Sequence, residues 1–239
     1  MWDGNAGTVG AFFLAISMLS IGGCDTGAAP PSQSPSAASE APHDRPPTVR
    51  YQVDSGRNRV WILTQDGVFV HDVARTDRVA VTLPGWVTVG APYGCPPDLA
   101  LGPKGEALVT SNIMPTLWRI DPDTLAVSVH PLALDADTDK DVGFSALVYA
   151  PRHGAFLAAS YHHGSLWRVG PLLDRAQKIA LSAPVPQACG LAVRPRGAQP
   201  ALRPMADLCV QTLHGGRSVT LTTDWRSAHV SAAPCADGP

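Results

Sequence analysis

The side chains that could do chemistry fall into a few short clusters. Asp135, Asp137, Asp139 and Asp141 alternate with Ala136, Thr138 and Lys140, the densest run of charge in the chain. Closely spaced carboxylates suit a hard cation such as calcium. An EF-hand loop counted from Asp135 needs Gly at its sixth position and Glu at its twelfth, where Lys140 and Ala146 stand. The stretch therefore also reads as a solvated acidic loop. His162 and His163 follow Tyr161, and His214 recurs farther along; imidazoles gathered on one face suit a borderline metal. Adjacent histidines at the end of a strand point different ways, so plain surface residues are the competing reading. A divalent cation is the one cofactor these groups could hold. No G-x-S-x-G elbow, Walker loop, G-x-G-x-x-G or H-E-x-x-H is present, and each of those spacings is what its chemistry requires. Glu occurs only at Glu40 and Glu106, and no catalytic residue is assigned.

Cysteine chemistry divides in two. Residues 9–21 (VGAFFLAISMLSI) form an apolar run that ends in Gly22-Gly23-Cys24. The run is shorter than the roughly 20 residues that cross a bilayer as a helix and suits the apolar core of a secretory signal. Ile21-Gly22-Gly23-Cys24 resembles the lipobox of bacterial lipoproteins, which implies cleavage after residue 23 and lipidation of Cys24. The first ten residues carry Asp3 but no Lys or Arg, a departure from the usual basic start. Asp25 resembles the inner-membrane retention signal of enteric bacteria. Residues 25–48 (DTGAAPPSQSPSAASEAPHDRPPT) are mostly Ala, Pro and Ser, a composition that cannot bury enough apolar surface to order itself. This order predicts a signal peptide over 1–23, a lipidated Cys and tether over 24–48, and a folded domain over 49–239. The expected address is the bacterial cell envelope, on the periplasmic side of the inner or outer membrane, with the membrane as a partner through the lipid. Cys95, Cys189, Cys209 and Cys235 remain, an even set for an oxidising compartment. They allow three pairings, and the sequence does not choose among them.

These groups must be positioned by a repeat. Leu99-Ala-Leu-Gly-Pro103-Lys-Gly105, Leu147-Val-Tyr-Ala-Pro151-Arg-His-Gly154 and Leu191-Ala-Val-Arg-Pro195-Arg-Gly197 align with Tyr51-Gln-Val-Asp-Ser55-Gly56. Each alternates apolar and polar residues and then turns, which is strand patterning with a hairpin signal. The turn positions 55, 103, 151 and 195 are 48, 48 and 44 residues apart. Three further strand patterns follow each turn, beginning near 60, 68 and 79 in the first repeat. Four short antiparallel strands per repeat of this length is the unit of a β-propeller blade. The predicted fold is all-β and propeller-like, about four blades of four antiparallel strands, closed or as a partial ring. A β-sandwich with coincidental spacing is the alternative.

Leu-Ala-Leu-Gly-Pro-Lys-Gly at 99–105, Ala-Leu-Val-Thr at 107–110 and Leu-Trp-Arg-Ile-Asp-Pro-Asp-Thr at 117–124 resemble the repeats of NHL, YVTN and SMP-30/gluconolactonase-like propellers, over roughly residues 49–233. The resemblance implies a propeller. Its SMP-30 branch would imply a metal-dependent hydrolase or lactonase, although that site's opening Glu has no equivalent here. Trp118 and Trp167 occupy equivalent repeat positions and read as blade packing.

The chain carries 18 basic and 20 acidic side chains, for a net charge of −2. That excludes the electrostatic footprint of a nucleic-acid binder. The leading functional expectation is a lipid-anchored binding or scaffolding module whose partner is a protein or a small molecule. Its ligand face should be that of the loops after the second and fourth strand of each repeat. Those loops hold Asp66, Asn112, the Asp135–Asp141 run, His162, His163 and His214.

Overall fold

The computed structural model describes residues 48–90, 94–135, 142–194, 207–231 and 234–235. The chain divides into two units, Met1–Asp44 and Arg45–Pro239, and every described residue belongs to the second. The signal segment, Cys24, the tether up to residue 47, Asp137, Asp139, Asp141 and the turn at Pro195 lie outside the described residues.

Four blades follow one another along the chain. The first contains β1 (Thr48–Asp54), β2 (Arg59–Thr64), β3 (Gly67–Asp72) and β4 (Arg78–Val81). The second contains β5 (Leu99–Leu101), β6 (Ala107–Thr110), β7 (Thr116–Ile120) and β8 (Val127–Pro131). After the short β9 (Ala133–Leu134), the third blade is built from β10 (Ala146–Ala150), β11 (Ala155–Ala159), β12 (Leu166–Val169) and β13 (Arg175–Leu181). The fourth is β14 (Ala188–Val193), β15 (Asp207–Thr212), β16 (Gly215–Leu221) and β17 (Ser227–Val230). Within each blade the strands pair in sequence order as an antiparallel meander. Every strand of the repeat frame is therefore present, and the sandwich alternative falls. The only helical element among the described residues is the single turn Pro151–His153, closed by Gly154 in the left-handed region (φ 56°), a conformation that favours glycine.

Alternation sends opposite side chains of one strand into different blade junctions. Trp61, Leu63, Leu99, Val109 and Trp118 fill the junction of blades one and two. Leu108, Leu117, Phe144, Leu147 and Trp167 fill the next, and Leu157, Leu166, Ile179, Leu208 and Val219 fill the third. Second strands of the middle blades are covered on both faces, so all of Ala107–Thr110 and Ala155–Ala159 is buried. That explains why these segments read as unbroken apolar runs. Trp118 and Trp167 are buried packing residues, their indole N–H groups donating to the Pro84 carbonyl and to Ser165 Oγ, each at 2.8 Å.

Two features exceed the repeat frame. β13 pairs in parallel with β17 through Ala180–Ser227 and Leu181–Ala228, and β9 pairs in parallel with the start of β13. Blades three and four thus share one sheet. The outer strand of blade three would otherwise present unpaired N–H and C=O groups, which folds tend to cover.

Candidate functional site

The first strands β1, β5, β10 and β14 run side by side around the axis, and a pocket of about 350 Å³ opens among them, lined by residues of all four. One polar network touches every blade there. Asp98, at the entry to β5, accepts the Leu99 N–H (2.8 Å) and Arg50 Nε (3.3 Å) on Oδ1 and the Leu147 N–H (2.8 Å) on Oδ2. Arg50, on β1, also donates to the Val49 carbonyl and to the Cys189 carbonyl on β14. The Asp98 side chain is 8% exposed and that of Arg50 is 32% exposed. Burial pushes the Asp98 pKa up to about 6, against the opposing pull of the Leu147 N–H and the Arg50 charge. Desolvation thus outweighs pairing here.

Around this pair the pocket offers Gln52, whose side-chain amide has no hydrogen-bond partner among the described residues, and the backbone of Gly190 and Leu191. Gln52 stands across from Trp61 on β2. Trp61 is wholly buried, and its indole N–H has no partner among the described residues. The arrangement can hold a small polar molecule by hydrogen bonds and by the partly exposed guanidinium. It places no nucleophile beside a base.

The pocket mouth is fastened covalently. Cys95, in the connection that enters β5, is bonded to Cys189, and Cys209 on β15 is bonded to Cys235. Of the three pairings open to the sequence, the structure contains this one. The connection from blade one to blade two is tied down further by Asn112. Its amide nitrogen donates to the carbonyls of Val89 (2.7 Å) and Cys95 (3.0 Å), and its oxygen accepts the Val89 N–H (3.0 Å). Asn112, expected on the ligand face, is there but serves as a backbone clasp.

The other anticipated residues are dispersed along that face. Asp135 is exposed and accepts the Lys178 N–H at 2.7 Å. His162 and His163 sit in the turn after β11, with the His162 ring edge-on to Tyr161 and the His163 N–H donating to Ser160 Oγ. His214 occupies the β15–β16 turn. Among the described residues no three His, Cys, Asp or Glu side chains gather as a metal site would need. Arg50 and Asp98, which form the centre of the site, are absent from the sequence-based candidates.

No protein-family model matches the chain, and no curated protein matches it. Among solved structures it resembles an auxiliary nutrient binding protein from Bacteroides thetaiotaomicron, with TM-score 0.54 and 11% identity, covering 80% of this chain and 43% of that one. A Bacteroides ovatus protein of the same description gives TM-score 0.54 and 11% identity, covering 77% and 46%. Virginiamycin B lyase from Staphylococcus aureus gives TM-score 0.51 and 12% identity, covering 75% and 53%. The chain spans about half the length of each of these proteins. At these identities the likeness is one of fold, and together with the four meandering blades it makes the domain a β-propeller.

Proposed function

We propose that this is a lipid-anchored binding protein of the bacterial cell envelope, holding a small polar ligand in the axial pocket. The observation that carries the reading is the convergence of Arg50, Gln52 and Asp98 on a pocket lined by the first strand of every blade. Ligand sites prefer concavities with a few convergent polar groups, and the charged pair of this one stands at the entry ends of β1 and β5, where the fourth-strand loops arrive. The nutrient-binding description of two structural neighbours and the Cys24 lipobox with its Pro/Ser tether support the same reading. The repeat wording at 99–124 supports a place beside NHL, YVTN and SMP-30-like propellers.

Thermal-shift screening of the full chain against amino acids, small sugars and small carboxylates tests it, with Gln52→Leu in parallel. At least one class should raise the melting point of the wild type and not that of the variant. Equal shifts in both, or none in either, would overturn the axial site. Cys24→Ser should leave the protein unprocessed or released from the membrane fraction; normal fractionation with an unchanged mature mass would overturn the anchor.

A further inference from the structure

On the opposite face, where the first-to-second and third-to-fourth strand turns emerge, the apolar-cored blade junctions can be compared as three versions of one position. At the first junction the chain fills the space with charge. Arg57 Nε meets Asp123 Oδ1 at 3.1 Å and Arg57 Nη1 meets Asp54 Oδ2 at 3.4 Å, while Arg59 donates to the Pro122 carbonyl. Gly105 (φ 82°) lies beneath the Arg57 guanidinium, where a Cβ would collide with it. At the third junction the chain fills the space with rings. The His153 ring lies 3.8 Å from that of Trp225, and the Arg168 guanidinium sits 5.9 Å from the Trp225 ring centre.

The second junction is left open. A cavity of about 420 Å³ lies between blades two and three, within the range of small-molecule sites. Its wall from blade two carries Glu106, Arg119 and His130; its wall from blade three carries Tyr149 and Phe156, with Leu172 at the edge. The repeat explains the vacancy. Leu173 and Trp225 are each three residues past the residue that opens their turn, Gly170 and Thr222, and both are left-handed, at φ 56° and 62°. The second junction therefore has a leucine where the third has a tryptophan.

The groups left facing the space define what fits it. Arg119 has no ion pair or side-chain hydrogen bond among the described residues, unlike Arg57 at the first junction. Burial, and then the Arg119 charge, push the His130 pKa down, so Arg119 and Lys104 are the cations of this wall at neutral pH. Glu106 is turned to its own hairpin, accepting the Lys104 N–H at 2.9 Å. The opposite wall is an aromatic pair, Tyr149 and Phe156, with ring centres 5.0 Å apart. The chain's own fillers at the flanking junctions are a carboxylate on an arginine and an aromatic ring over an arginine.

We propose that the junction of blades two and three is a second binding site, for a small aromatic carboxylate whose ring packs on Tyr149 and Phe156 and whose carboxylate pairs with Arg119. It shares no lining residue with the axial pocket, so it stands or falls separately from that site.

Titration calorimetry of the full chain with phenylacetate, benzyl alcohol and acetate separates the parts of the claim. Phenylacetate should bind about tenfold or more tightly than either the ring without charge or the charge without ring. Arg119→Gln, a half-exposed position, should weaken phenylacetate by about tenfold at an unchanged melting point. Leu173→Trp should abolish binding by copying the filler of the third junction. If that variant does not fold, Arg119→Gln and the probe ranking decide. No phenylacetate binding up to about 10 mM, equal binding of all three probes, or indifference to Arg119→Gln would overturn the proposal.

Discussion

Replacing Asp98 by Asn separates the burial of this group from its pairing. The native carboxyl has its pKa pushed up to about 6, against about 3.9 for an unfolded aspartate. The folded protein therefore holds the proton more tightly than the unfolded chain does. Stability from this group is fully present below about pH 4 and is lost as the pH rises through about 6. The full displacement of about two pKa units corresponds to roughly 3 kcal/mol, of which about 1.4 kcal/mol is traversed between about pH 7.5 and pH 5. A domain of this size moves by about 2–4 °C per kcal/mol. Melting curves of both proteins at about pH 7.5, 6 and 5 should show the wild type gaining about 3–5 °C on the variant as the pH falls. The variant should also be weaker throughout by about 1–3 kcal/mol, because its amide NH₂ faces donors in place of a carboxylate oxygen. A difference that stays constant or shrinks on acidification would refute a carboxyl held at raised pKa among Arg50, Leu99 and Leu147.

The two disulfides should contribute unequally. Cys95–Cys189 closes a sequence separation of 94 and Cys209–Cys235 one of 26, so chain entropy assigns about 5 and about 3.5 kcal/mol. Denaturant melts of the paired Cys→Ser variants, after peptide mapping of the bonds, should show the larger loss for the first pair. Trp118→Ala empties a wholly packed site between blades one and two and frees the Pro84 carbonyl. It should cost about 3–5 kcal/mol in the same assay, and a loss near zero would mean that the junction repacks.

The blades were legible because their signal is periodic. Alternation over four to seven residues, broken at Ser55, Pro103 and Pro151, recurs often enough to locate every strand of the four blades. The two-residue ladders of β9 with β13 and of β13 with β17 have no period to betray them. The site was hidden for a different reason. Arg50 stood at the edge of the tether, and Asp98 followed two prolines without any neighbouring charge to draw attention. In the repeat frame Tyr51, Leu99, Leu147 and Leu191 are equivalent, so the position before them holds Arg50, Asp98, Ala146 and Gly190. Opposite charges at one position of neighbouring blades must face each other at the axis, and that column is the signal that could have found the pair. Asn112 shows the reverse. A polar loop residue looks the same in sequence whether it meets a ligand or clasps the backbone.

The axial network also links the last blade to the first, and this decides how the site can be probed. Apolar clusters join blades one to two, two to three and three to four, and among the described residues none joins four to one. Tyr51 and Val53 on the outer face of blade one are 66% and 60% exposed, while blade four covers its own outer face with Cys235 bonded to Cys209 beside Gly216. Across the last seam Arg50 reaches the Cys189 carbonyl, and the Cys95–Cys189 bond ties β14 to the connection that enters β5. A polar seam depends on satisfied partners in a low dielectric far more than on buried area. Removing Arg50 or Asp98 would therefore loosen this link and alter the pocket at once, and lost binding in such a variant would not identify a ligand contact. Gln52 lines the same pocket without any side-chain hydrogen bond among the described residues, so its replacement changes the surface offered to a ligand and leaves the seam intact.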